Sequence, residues 1–125
     1  MIAVDSSTLI DWFKGLDTPQ TTALEAAMDE DSLYLPPPVE AELLSFPNPQ
    51  PALSAVLNDL PRLELIEGFW SRAGLTRQAV RRNGRKAKLA DALIAQFCLD
   101  ADAALITSND DFRHFAAHCG LRLAV

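Results

Sequence analysis

At opposite ends of the chain, two short apolar runs stop abruptly at acids and hydroxyls. Ile2-Ala3-Val4 runs into Asp5-Ser6-Ser7, and Ala104-Leu105-Ile106 runs into Thr107-Ser108-Asn109-Asp110-Asp111. Runs this short and this apolar read as strands buried on both faces. Further short runs at Ser32–Leu35 and Leu63–Ile66 alternate with stretches of helical spacing. Strands alternating with helices specify a parallel sheet covered on both sides. The expected fold is therefore α/β: one domain over residues 1–125, with a central parallel sheet of four to five strands. The fifth would be an edge strand over Leu121–Val125. In such sheets, ligands bind beyond the carboxyl ends of the strands, which brings Asp5 and the Thr107–Asp111 segment to one site. Clustered carboxylates repel one another unless protons or cations neutralise them. A metal site is the first functional expectation.

Periodicity and punctuation place the helices. Ser7–Lys14 is ended by Gly15, and Thr18–Asp31 has Thr18 as N-cap with Pro19 at the first helical position. Val39–Phe46 follows Pro36-Pro37-Pro38, Ala52–Leu60 follows a proline-spaced turn, and Phe69–Arg82 and Ala87–Leu99 flank a loop with Asn83-Gly84-Arg85. Asp110–Ala117 is closed by Gly120. With 49% apolar residues in 125, the chain can bury a core without staples. No apolar stretch approaches the roughly 18 residues of a membrane span, and no basic or long apolar segment precedes Asp5, so neither anchor nor signal peptide is expected. Two cysteines imply no disulfide framework, and Cys98 reads as a small buried hydrophobe. The expected location is the cytoplasm.

The net charge of −6 argues against a nucleic-acid partner until its distribution is considered. Arg77, Arg81, Arg82, Arg85, Lys86 and Lys88 put six of the eleven cations into one acid-free stretch. Such a strip can hold a phosphate backbone in an otherwise acidic protein; it can equally be a solvated helix end and loop.

Asp91 shares a helix face with Ile94, Ala95 and Cys98. A carboxylate on an apolar face is costly unless paired, so Asp91 is either a metal ligand or general base, or an N-terminal acid complementing the helix dipole. Glu40 and Glu42 lie on the helix after the second strand, and helical spacing alone does not choose between them. Five consecutive oxygen donors from Thr107 to Asp111 exceed what a helix cap requires. Hard oxygen ligands without accompanying histidines favour Mg²⁺ or Mn²⁺. His114, His118 and Cys119 mimic part of a zinc site without a fourth ligand, and Trp12 and Trp70 read as core or interface anchors.

Four segments carry a resemblance: Val4-Asp5-Ser6-Ser7, Ala41-Glu42-Leu43-Leu44, Asp91-Ala92-Leu93-Ile94-Ala95 and Thr107-Ser108-Asn109-Asp110-Asp111-Phe112. In this order and spacing they resemble the PIN-domain ribonucleases, most of all the VapC-type toxins of bacterial toxin–antitoxin pairs. The resemblance runs from Met1 to Leu123. It implies a PIN-like domain with helices on both faces of the sheet and an acidic core of Asp5, Glu42 and Asp91, with Ser7 and Thr107 as supporting hydroxyls. Glu42 is thereby chosen over Glu40. At the fourth corner many relatives have an aspartate where this chain has Asn109, while Asp111 matches the second acid of the segment.

The activity implied is Mg²⁺- or Mn²⁺-dependent endoribonuclease action. Two cations roughly 4 Å apart would activate water and stabilise the leaving oxygen. Asp5, Asp91, Asp111 and Asn109 would serve as metal ligands, and Glu42 as a ligand or holder of bound water. Arg81, Arg82, Arg85, Lys86 and Lys88 would grip RNA. The resemblance also implies a homodimer and a cognate VapB-like antitoxin lying across the acidic groove. The competing reading is a catalytically weak PIN-fold module that retains antitoxin and RNA binding. An aspartyl phosphatase at Asp5 fits poorly, because Ser7 stands where its second aspartate belongs.

Overall fold

The computed structural model describes residues 1–125. In chain order the elements are β1 (Ile2–Val4), α1 (Ser6–Phe13), α2 (Pro19–Asp29), β2 (Leu33–Tyr34), α3 (Pro37–Leu44), α4 (Leu53–Asp59), α5 (Phe69–Arg82), α6 (Leu89–Ala101), β3 (Ala104–Ile106) and α7 (Phe112–Cys119). The strands form a parallel sheet in the order β2-β1-β3. Ile2 is opposed to Leu33 and Ala104, Ala3 to Tyr34 and Leu105, and Val4 to Ile106. Successive side chains of a strand point to opposite faces. Ala3 and Val4 are both fully buried, as are Leu105 and Ile106, so both faces of the sheet are covered.

The expected four to five strands are corrected to three. Each anticipated outer strand is reduced to a single parallel bridge, Leu35 with Arg62 on one side and Leu105 with Leu123 on the other. On the first side the bridge consists of Leu35 N–H to the Pro61 carbonyl, 2.8 Å, and Leu63 N–H to the Leu35 carbonyl, 3.1 Å. Pro61 has no N–H to extend the ladder. Leu65 and Ile66, whose apolar character reads as a strand, instead lie exposed along surface grooves. On the second side, Leu105 N–H meets Arg122 O at 2.9 Å and Ala124 N–H meets Leu105 O at 2.8 Å.

Local chemistry explains the helix starts. Thr18 and Thr21 form a reciprocal capping box at α2, with backbone-to-hydroxyl distances of 2.9 and 3.1 Å. Pro37 opens α3, where its missing N–H leaves no donor unsatisfied. Gly120 closes α7 with φ of 77°, a conformation that favours glycine.

The helices α5 and α6 are bound together at both apolar and polar levels. Phe69 stacks against Phe97 with ring centroids 4.2 Å apart. Beside them Arg72 donates two bonds to Asp100, at 3.0 and 2.6 Å, and Gln96 donates a third at 2.8 Å. The Thr76 hydroxyl completes the set by donating to the Gln96 side-chain oxygen.

Strand order fixes where the site lies. After β1 the chain crosses to β2 on one side, and after β3 it crosses to the Leu123 bridge on the other. The point where successive connections diverge is the crevice between the carboxyl ends of β1 and β3. Asp5 ends β1 and Thr107 follows β3 at that crevice.

Candidate metal centre

Asp5 is both the N-cap of α1 and the centre of the site. Its carboxylate accepts from the Thr8 N–H at 3.2 Å and from the Thr107 hydroxyl at 2.7 Å. The Ser7 hydroxyl lies 2.8 and 2.9 Å from its two oxygens. The two hydroxyls are themselves oriented by the backbone. Ser7 Oγ accepts from the Ser108 N–H and Thr107 Oγ1 from the Asn109 N–H, both at 3.0 Å. Each hydroxyl proton is thereby directed at Asp5, and the loop after β3 is tied to the loop after β1. At 2% exposure, Asp5 has its pKa raised by burial, although the bonds from Thr107, Ser7 and Thr8 favour the ionised form.

On α3, residues two apart point to nearly opposite sides, and that geometry separates the two glutamates. Glu40 is ion-paired with Arg62. Glu42 turns the other way and accepts a 3.1 Å bond from Ser6 Oγ. Burial raises its pKa, the negative charge of Asp5 adds to the shift, and Ser6 and Lys88 oppose it. Ser6 is the site residue that sequence reasoning missed. The available signal was the Ser6-Ser7 pair itself, since adjacent residues at a helix start project to different sides and can serve two acids.

Asp91 lies in the first turn of α6 at 6% exposure. Its Oδ2 is the one buried side-chain polar atom in the chain without a hydrogen-bond partner. A buried, unbonded carboxylate oxygen is costly. Burial pushes the carboxyl up to about 6, with Glu42 the foremost contributor among the neighbouring negative charges, joined by Asp111 and Asp5; Lys88 opposes them. Cys98, on the same helix, is buried and its thiol is pushed up to about 12, in keeping with an inert role.

The segment after β3 divides its polar groups. Asn109 Oδ1 accepts the Asp111 N–H at 3.0 Å. Asp110 is on the surface, ion-paired with Arg113. Asp111 makes no capping bond at the start of α7, and its negative charge is felt at Asp91. Thus Glu42, Asp111 and Asp5, each from a different part of the chain, bring their negative charge to bear on Asp91.

As the chain stands, no group of three or more His, Cys, Asp or Glu side chains is placed to hold a metal ion, neither these acids nor His114, His118 and Cys119. The donor set nevertheless fits a hard divalent cation. It is all oxygen, Asp5, Glu42 and Asp91 are each disfavoured as free anions, and the Asp91 Oδ2 lacks any other partner. Beside Glu42 an apolar groove of about 530 Å³ runs past Leu65, Trp70, Leu93 and Phe97. Trp70 is 66% exposed there, edge-on to Phe69, whereas Trp12 is half-buried against the core and bonds Glu25 at 3.2 Å.

Residues 2–118 match the PIN domain family. No protein of curated function is matched by the sequence. Among solved structures, the chain is similar to one of VapBC2 from Rickettsia felis, in a complex bound to a DNA fragment from its promoter. That chain is 20% identical with a TM-score of 0.78, and the match covers 98% of this chain and 97% of that one. It is also similar to a chain of FitAcB from Neisseria gonorrhoeae, at 13% identity and a TM-score of 0.70, covering 98% and 96% respectively.

Proposed function

The chain belongs to the PIN domain family, and we propose that it is a divalent-metal-dependent endoribonuclease of the VapC toxin type, held in check by a cognate antitoxin. PIN domains are generally nucleases. The observation that carries the reading here is the buried Asp91 Oδ2, which has no partner while three other acids raise the cost of its charge. Asp5, Glu42, Asp91 and Asp111 would hold Mg²⁺ or Mn²⁺. Asn109 would offer a neutral oxygen through the lone pair its bond to the Asp111 amide leaves free.

When bound, such a cation supplies Lewis-acid activation of water and neutralises charge developing on the scissile phosphate. The chain's own residues set the conditions for that chemistry. Ser7 and Thr107 hold both Asp5 oxygens in one orientation. Ser6 anchors one oxygen of Glu42 and leaves the other free to accept a proton from water. Arg81, Arg82, Arg85, Lys86 and Lys88 would grip the RNA backbone, a contact that positions without reading sequence.

The partner proposal rests on the VapC-like motifs and on the likeness to VapBC2 and FitAcB. The exposed groove at Leu65, Trp70 and Leu93 is the type of apolar surface that protein partners cover, whether antitoxin or a second copy in a homodimer. No helix is long and apolar enough to cross a membrane; action in the cytoplasm is part of the proposal and rests on the VapC-like motifs.

Incubating the purified protein with cellular RNA tests the function. Cleavage in Mg²⁺ or Mn²⁺ that stops with chelator is the expected result. Absence of cation-dependent cleavage of any RNA would overturn the nuclease reading. It would favour the second one, a PIN-fold binder weakened by Asn109 at the fourth corner.

A further inference from the structure

Ion pairing in this chain is uneven. Arg62, Arg72, Arg113 and Arg122 are each paired with an acid. Lys14 and all six cations from Arg77 to Lys88 have no such partner, although the chain carries 17 acids. The unpaired cluster falls in a segment, Phe69 to Ala90, that contains no Asp or Glu. A net-negative protein thus leaves one concentrated positive surface unneutralised.

Half of that cluster forms a shaped cleft. Gly74, Arg77, Gln78 and Arg81 recur at the three- and four-residue spacing of one helix face. With Arg82 and Leu89 they line a cleft of about 540 Å³ between α5 and the start of α6. Arg77 donates its Nε to the Ala87 carbonyl at 2.9 Å, which fixes the side chain and leaves its two terminal nitrogens for a ligand. Gly74 is the second observation. It sits mid-helix, where glycine is destabilising relative to alanine, and a Cβ built there meets nothing within 4 Å. The helix surface at Gly74 is therefore open, and a larger side chain there would take up space in the cleft.

We propose that this cleft is a phosphate-backbone subsite that holds RNA away from the cleavage point. The inference rests on the ribonuclease reading and divides the basic strip in two. Arg77, Arg81, Arg82 and Gln78 form the walled subsite, and Arg85 and Lys86 lie outside it. Guanidinium forks match phosphate oxygens two bonds at a time, and the Gln78 amide can bond a phosphate or a ribose hydroxyl. A helix dipole would account for Arg81 and Arg82 in the last turn of α5, but not for Arg77 or for the open space at Gly74. Leu89 borders the cleft, and Lys88 next to it lies within electrostatic reach of Glu42 and Asp91. A strand leaving the cleft along the start of α6 therefore passes to the acids.

The test measures binding apart from cleavage. A fluorescein-labelled single-stranded RNA is titrated with the full chain in chelator, and anisotropy is read across a salt series. R81Q/R82Q should weaken binding about tenfold near 0.1 M salt and flatten the salt slope by ~1.4, two single-strand phosphate contacts' worth. Gly74→Leu fills the cleft and leaves every charge in place. It should weaken binding by a similar factor while circular dichroism shows an intact fold. K14Q/R122Q, which removes two charges elsewhere, should bind as wild type. Loss in R81Q/R82Q alone would mean a diffuse charged surface and would overturn the cleft. Unchanged affinity in both variants, as expected of a cleft reserved for an acidic protein segment, would also overturn it. The two readings fail separately. RNA bound through the cleft but never cleaved in Mg²⁺ defeats the nuclease and keeps the subsite. Cleavage by wild type, with both variants binding normally, does the reverse.

Discussion

At the C-terminal end of α6, Asp100 takes two bonds from Arg72 and a third from Gln96; at the N-terminal end, Asp91 keeps one buried oxygen with no donor. Arg72 is the first reason that Asp100 is held below the usual carboxylate range, whereas burial and like charges raise Asp91. One helix thus carries a closed polar network and an open one. The closed network joins α5 to α6, and both Asp100 oxygens already have partners. In the open one the folded chain tolerates an unfavourable charge, and a cation would relieve it. At these two ends of α6, the acid that ties helices together is satisfied internally, and the acid proposed to meet the metal has an oxygen left wanting.

The contrast predicts opposite responses to substitution. The largest effect is on activity. Asp91→Asn should cut metal-dependent cleavage by about a thousandfold, the equivalent of ~4 kcal/mol of transition-state stabilisation, while the fold stays intact. Gel assays of RNA cleavage with Mg²⁺ decide it, and full activity would sink the assignment of Asp91 to the metal. Next, Gln96→Ala should lower the stability read from urea unfolding by about 2 kcal/mol, because the Thr76 hydroxyl and an Asp100 oxygen lose a buried partner. Its cleavage rate under native conditions should not change. A lost rate with unchanged stability would reverse the roles assigned to the two ends.

Thr107→Val should weaken Mn²⁺ binding about tenfold, the scale of losing a group that orients a metal ligand. Calorimetric titration reads this without RNA, and wild-type affinity would deny Thr107 a positioning role. The smallest effect is on pH dependence, measured in chelator. The Asp91 carboxyl titrates near 6 when folded and near its ordinary 3.8 when unfolded. Between those values the folded state holds the extra proton, so this group makes stability fall as pH rises. Asp100 acts in the other direction: its contribution is present above the unfolded pKa and is lost as pH falls through its lowered folded value. The difference in Tm between wild type and Asp91→Asn should therefore change from about pH 4 to about pH 6, the ends of that window, with wild type losing ground. A constant difference would mean that Asp91 does not titrate there.

Much of this architecture was legible along the chain. Phe69–Arg82 and Ala104–Ile106 form as read, because Gly68 and Asn83 bracket the first and acids and hydroxyls terminate the second. Thr18 caps α2 as its spacing requires. The outer strands were overread because Leu63–Ile66 has a strand's apolar content but uses it along surface grooves, a distinction that periodicity does not carry. At the site, spacing alone left Glu40 and Glu42 equivalent. The structure separates them by their partners, Arg62 for one and Ser6 for the other. The missing donor at Asp91 is a three-dimensional absence and has no counterpart in a string of residues. Nor did the strip from Arg77 to Lys88 reveal that only its first half lines a cleft, since that depends on where Leu89 at the start of α6 lies relative to α5.

The three-stranded sheet with single-bridge borders has a consequence for self-association. An open strand edge is a template for adding further strands, and long flat edges invite uncontrolled aggregation. Here the backbone groups facing outward from β2 and β3 are met by one bridge each, at Arg62 and Leu123, and the chain then turns away. Each ladder stops after a single residue pair, which keeps both regular edges of the sheet short. A sheet bordered in this way offers a foreign strand little regular length to pair with, which disfavours self-association by strand addition.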